Sequence, residues 1–114
     1  MVEAGIQIIL GADVGWGPTA THVGSFFGYA EHLELEAFVR LGMTPAQAIA
    51  AGTSRPAEAF GLHEVGSIER GKAADFLVLD ANPLDDIRNL RRINKVYLRG
   101  VELDRAALRA QWTK

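Results

Sequence analysis

With 114 residues, 48% of them hydrophobic, and a mean hydropathy of +0.05, the chain has the apolar content of one ordered domain rather than of a disordered segment. A net charge of −2 with acids and bases interspersed argues against a nucleic-acid or anionic-membrane surface, and the absence of cysteine removes disulfides, thiolate catalysis and cysteine zinc sites. No apolar stretch approaches the ~18 residues that cross a bilayer, and Met1-Val2-Glu3-Ala4 lacks the basic flank of a signal peptide, so a soluble chain of undetermined compartment is expected.

The first element is Gly5-Ile6-Gln7-Ile8-Ile9-Leu10, an apolar run that predicts a strand buried on both faces and closed by Gly11-Ala12-Asp13-Val14-Gly15. Asp13 then stands at the C-terminal tip of that strand, the end at which parallel α/β enzymes carry their chemistry. A glycine-flanked aspartate also starts ordinary turns, and both readings remain open at this point. The loop from Gly15 to Gly24 is rich in glycine and threonine and long for a mere connection, which gives it the character of a binding loop.

A helix is predicted from Phe26 to Leu41, with Leu33, Ala37 and Leu41 on one stripe, Leu35, Phe38 and Val39 beside it, and Gly42 past its end. Thr44-Pro45 restarts a helix by an N-cap followed by proline at the first position, carrying Ala46, Ile49 and Ala50 inward until Gly52. Thr53-Ser54-Arg55-Pro56 repeats the signal for a short third helix, Ala57 to Phe60. Beyond Leu62 the period turns extended. Val65 to Ile68 reads as a short strand or turn, Ala74 to Leu79 as a strand, and Asn94–Leu98 with Val101–Leu103 as a hairpin about Arg99-Gly100. A short helix is expected from Arg105 to Trp112. The basic cluster Arg88, Arg91, Arg92 and Lys95, near Asp85 and Asp86, reads as a neutralised, solvated surface. A lone doubly buried strand needs neighbours on each side, so these are expected in a part of the protein that the chain lacks.

The order of these motifs resembles the C-terminal end of a metal-dependent amidohydrolase, in the style of imidazolonepropionase-like and Xaa-Pro-dipeptidase-like members. The residues that carry it are Gly11-Ala12-Asp13, the helix from Glu34 to Pro45 with its Gly42-Met43-Thr44-Pro45 close, and the stretch Gly66-Ser67-Ile68-Glu69-Arg70-Gly71-Lys72-Ala73-Ala74-Asp75 leading to Asn82-Pro83-Leu84. The resemblance implies an α/β fold: residues 1–61 as the end of a TIM-type (β/α)₈ barrel, with its last strand and closing helices, and residues 62–114 as the C-terminal strands of a small composite β-sandwich. It also implies that Asp13 binds or abuts a divalent metal, usually zinc, and takes the proton of the attacking water, and that His22 faces the substrate. The threonine usual before that aspartate is Ala12 here.

From the residues alone His22 is equally a surface histidine, and Trp16 a pocket wall or a packed rim. His32 and Glu36 have metal-like spacing but read as a solvated helix face; His63 lacks a supporting partner in sequence, and Lys72 reads as part of a turn. No His-x-His occurs, and one aspartate cannot hold a zinc that needs about three protein ligands. The function that the resemblance implies is hydrolysis of amide or related C–N bonds in a small-molecule or dipeptide-like substrate by the complete protein, the chain alone being inactive and lacking the N-terminal part of the barrel. The alternative is a non-catalytic binding or assembly module that self-associates through exposed strand edges.

Overall fold

The computed structural model describes residues 5–13 and 28–112. In chain order these carry α1 (Ala30–Arg40), α2 (Pro45–Ala51), α3 (Ser54–Ala59), β1 (Phe76–Leu79), a 3-10 turn (Ile87–Arg91), β2 (Ile93–Leu98), β3 (Val101–Glu102) and α4 (Arg105–Trp112). The Cα radius of gyration is 15.4 Å, wider than the ~13 Å of a compact domain of about 100 residues.

The expected first strand is not paired. Residues 6–13 take no strand ladder among the described residues, and Ile6 is 56% exposed. A strand exists only through neighbours that pair with its N–H and C=O groups, and among the described residues the run is held instead by Leu10 N–H on Ala51 O at 2.8 Å and by Gly11 N–H on a side chain of α1.

Leu10 reaches a small core of Leu35, Ala48 and Ile87, joined by Phe38, Val39, Ile49 and Leu90. Two expected faces are thereby corrected. On α1 the inward stripe is Leu35, Phe38 and Val39, while Leu41 is 78% exposed; on α2 Ala48 and Ala51 are fully buried and Ala46 is exposed. Apart from Gln47 every residue of α2 is apolar, so no polar period marks its outer face.

The caps explain where the helices begin. Thr44 accepts from Gln47 N–H, and the Gln47 side chain accepts from Thr44 N–H at 2.9 Å, a complete capping box with Pro45 at the first position. Thr53, predicted to act likewise, does not cap α3. Its hydroxyl instead donates to Ile49 O at 2.7 Å at the end of α2, and α3 starts at Ser54, three residues earlier than expected, with Pro56 in its first turn where a missing N–H costs nothing.

The sheet is antiparallel in the order β1-β2-β3, with Phe76 opposite Tyr97 and Leu98 opposite Val101. The rings of Phe76 and Tyr97 stack at 4.6 Å. The hairpin turns at Arg99-Gly100 as the sequence predicts, and both residues have positive φ, 50° and 79°, the signature of a type I′ turn. An arginine is unusual there. Its backbone is held by Asp75, whose carboxylate accepts from Arg99 N–H at 2.6 Å, while Gly100 N–H reaches Ala74 O at 2.9 Å.

The remaining motif residues are also structural. Gly66 has φ +90°, and a Cβ there would lie 2.5 Å from Ala57 Cβ and 2.9 Å from Thr53 O, so only glycine lets this turn lie against α3. Lys72 donates to Ser67 Oγ at 2.6 Å and lies 3.6 Å from Glu69, closing the turn in which it was expected. Asn82 holds an Asx turn through Leu84 N–H at 3.0 Å, and Asp86 caps the 3-10 turn through Arg88 N–H at 2.9 Å. The Arg88 guanidinium beside it, 2.6 Å away, keeps the Asp86 carboxyl down at about 2.

Candidate active site

Asp13 is exposed and has a φ of 44°, a left-handed conformation that aspartate tolerates better than most residues. It lies two residues beyond Gly11, the last amide of the run that is anchored among the described residues. Gly11 N–H donates to Glu34 Oε1 on α1 at 3.3 Å, one residue after Leu10 N–H is taken by Ala51. The Leu10 side chain is seated beside Gly52 and Leu35, where a Cβ on Gly52 would meet Leu10 Cδ2 and Leu35 Cδ2 at 3.4 Å each. Two helices, α1 and α2, thus converge on the base of the segment that presents Asp13. His22 and Trp16, the other candidates of this end, lie outside the described residues.

Beyond Glu34, α1 carries Glu31, His32 and Glu36, and the expected solvated face is corrected. Glu36 is only 9% exposed, and Arg91 of the 3-10 turn brings Nη2 to 2.5 Å from Glu36 Oε1, a close ionic contact outside hydrogen-bond geometry. Arg91 also donates to Tyr29 Oη at 3.2 Å and lies over its ring at 5.0 Å. The face is occupied because the 3-10 turn packs on α1, a contact between distant parts of the sequence. Arg91 is therefore neutralised by Glu36 rather than by Asp85 or Asp86, and Lys95 pairs with Glu102 at 3.0 Å across β2 and β3.

Burial pushes the His32 imidazole below its usual 6.5, helped by Arg91 and opposed by Glu36 and Glu31. Buried oxygens of Glu31 and Glu34, both Oε2, and Nδ1 of His32 have no hydrogen-bond partner among the described residues. These side chains do not converge: no group of three or more histidine or acidic residues among the described residues could hold a metal ion. Asp13 by itself offers one carboxylate, which does not make a metal centre. His63 is exposed, beside a cleft of ~310 Å³ that includes Ser54, Glu58 and Lys72. Among the described residues no helix is long and apolar enough to cross a membrane.

Glu34, Arg91 and Asp75 were not singled out by sequence reasoning as holding anything. Glu34 and Asp75 both stand inside the quoted motifs, which was the available signal; Arg91 had none, because its partner is 55 residues away in sequence, at Glu36.

Residues 1–103 match the Amidohydrolase family. The chain is 31% identical over 107 residues to the imidazolonepropionase of Deinococcus radiodurans, an alignment covering 90% of this chain and 25% of that protein. It superposes on the crystal structure of phenylurea hydrolase B with a TM-score of 0.84 at 37% identity, over 96% of this chain and 26% of the other. A Xaa-Pro dipeptidase crystal structure matches with a TM-score of 0.61 at 31% identity, over 64% of this chain and 18% of the other. The chain belongs to the amidohydrolase family, as its motif order indicated. It has the fold of the corresponding portion of these proteins, including the small antiparallel sheet, and spans about a quarter of the length of the imidazolonepropionase.

Proposed function

We propose that this chain is the C-terminal portion of a divalent-metal-dependent hydrolase that cleaves amide or related C–N bonds in a small-molecule or dipeptide-like substrate. Residues 1–61 supply the last strand and closing helices of a (β/α)₈ barrel, and residues 62–114 the C-terminal share of a composite β-sandwich. One observation carries this reading: the superposition on phenylurea hydrolase B over 96% of the chain but 26% of that hydrolase, with Asp13 exposed just beyond its apolar run.

The openness of the fold supports it. An apolar groove of ~650 Å³ runs between α3 and β1, and along it Phe60 is 70% and Ile68 84% exposed. Patches of this kind are normally covered by another part of the protein or by a partner. The unpaired run at residues 6–13 has the same need.

In the completed site Asp13 is the general base. Its ionised carboxylate, within hydrogen-bond reach of the attacking water, takes a proton as the water oxygen bonds the scissile carbonyl carbon, and returns it to the leaving nitrogen as the C–N bond breaks. His22 contacts the substrate. The metal, zinc by the family resemblance, acts as a Lewis acid when bound, and its ligands beyond Asp13 belong to the absent strands.

The test compares the complete hydrolase, its Asp13→Asn variant and the 114-residue chain on substrates of the kinds that give the relatives their names. The complete protein is expected to hydrolyse, the isolated chain to be inactive and to bind no stoichiometric zinc, and Asp13→Asn to lower kcat by about two to four orders of magnitude without unfolding. Near-normal turnover by a folded, metal-loaded Asp13→Asn protein rejects Asp13 as the base. Hydrolysis by the isolated chain rejects the need for absent ligands. Inactivity of every form leaves the non-catalytic assembly module.

A further inference from the structure

We infer that Glu34 is the positioning residue for Asp13: its carboxylate, on α1, fixes the Gly11 amide and so sets the direction in which the segment runs on to Asp13. The inference rests on the proposed role of Asp13 and deepens it.

Among the described residues the backbone leading to Asp13 has two anchors, Leu10 N–H on Ala51 O at 2.8 Å and Gly11 N–H on Glu34 Oε1 at 3.3 Å. The first is a backbone bond and is insensitive to sequence; the second depends on one side chain. At 3.3 Å it is longer than the ~2.7–2.9 Å of strong charge-assisted bonds, so its value lies in what it fixes more than in its strength. Among the described residues Gly11 is the last whose amide is held before Asp13, where φ turns to 44°. Left-handed backbone costs energy for a non-glycine residue, though aspartate bears it better than most, and among the described residues the Glu34 contact at Gly11 is the hydrogen bond that most nearly precedes it in sequence.

The side chain is itself placed rather than free. Leu35 beside it is a core residue, which sets the rotation of α1, and Glu34 Oε2 is buried without a hydrogen-bond partner among the described residues. A carboxylate that only solvated the helix surface would have both oxygens in water. Glutamine retains an acceptor oxygen at the same reach; alanine has none.

The test has two arms, using Glu34→Ala and Glu34→Gln. In the 114-residue chain, hydrogen exchange followed by NMR is expected to speed up roughly five- to tenfold at the Gly11 amide in Glu34→Ala, with Glu34→Gln near wild type and the Leu10 amide unchanged as an internal control. In the complete hydrolase Glu34→Ala is expected to lower kcat about 10- to 100-fold with little change in KM, and Glu34→Gln to restore most of it. Unchanged Gly11 exchange in Glu34→Ala overturns the contact. Lost protection with normal kcat, in a hydrolase that Asp13→Asn cripples, overturns the positioning role. Full activity in Asp13→Asn itself rejects the general-base reading instead, so the two failures are distinct.

Discussion

Two regions of the described chain, residues 64–103 and residues 6–13, meet their backbone hydrogen-bond needs in opposite ways. Between Glu64 and Leu103 the motif residues close on one another: Ala73 N–H on Glu64 O at 2.8 Å, Gly100 N–H on Ala74 O at 2.9 Å, Asp80 N–H on Arg92 O at 2.8 Å, Leu103 N–H on Val96 O at 2.9 Å. Residues 6–13 have only the bonds to Ala51 and Glu34 and no ladder among the described residues. The more recognisable motif is thus the structural one, and the candidate for chemistry sits in the segment with the fewest local supports. How easily a motif is recognised therefore reflects how many local constraints it satisfies, which is a different matter from its nearness to a reaction.

Substitutions in residues 64–103 should cost stability and leave a carboxylate's chemistry alone, the reverse of Asp13→Asn. The largest loss is expected from Gly66→Ala, which puts a Cβ into left-handed backbone and against Ala57 and Thr53; about 2–4 kcal/mol combines strain and overpacking. Thermal unfolding beside the wild-type chain measures it, and an unchanged midpoint would show that the turn can lift off α3. Asp75→Ala is expected to cost about 1 kcal/mol by freeing Arg99 N–H in the hairpin, and Asp75→Asn roughly half of that, because an amide oxygen still accepts. Equal losses in the two variants would place the effect in the charge rather than in the hydrogen bond.

The smallest effect concerns α1, which lies between the two regions in sequence. His32 is held neutral below its usual 6.5 mainly by burial, so the stability tied to its neutral form is complete above pH 6.5 and is lost as pH falls through the lowered folded value. NMR titration of the imidazole should give a midpoint under 6.5, and Glu31→Gln, which removes a charge that raises it, should move that midpoint slightly lower. A midpoint at or above 6.5 would mean that Glu36 outweighs burial.

Much of this was legible from residue order. The Thr44-Pro45 start, the Gly42 stop and the Arg99-Gly100 turn depend on one or two residues whose own conformational preferences decide the outcome, and they stand where they were expected. Thr53 carries the same chemistry as Thr44 and behaves differently because a carbonyl of α2 competes for its hydroxyl. Ile6 to Leu10 read as a buried strand because its composition suits one, yet pairing is a property of two segments and composition speaks for only one.

By itself the sequence determined the local turns and caps, the change from helical to extended period near Leu62, and family membership, since each is written in neighbouring residues or in motif order. Tertiary structure alone decided which faces of α1 and α2 are buried, that Glu36 pairs with Arg91, and that Glu34 reaches the Gly11 amide. These contacts join residues 23 to 55 positions apart, and whether such residues meet depends on how helices pack, which no short window of sequence encodes.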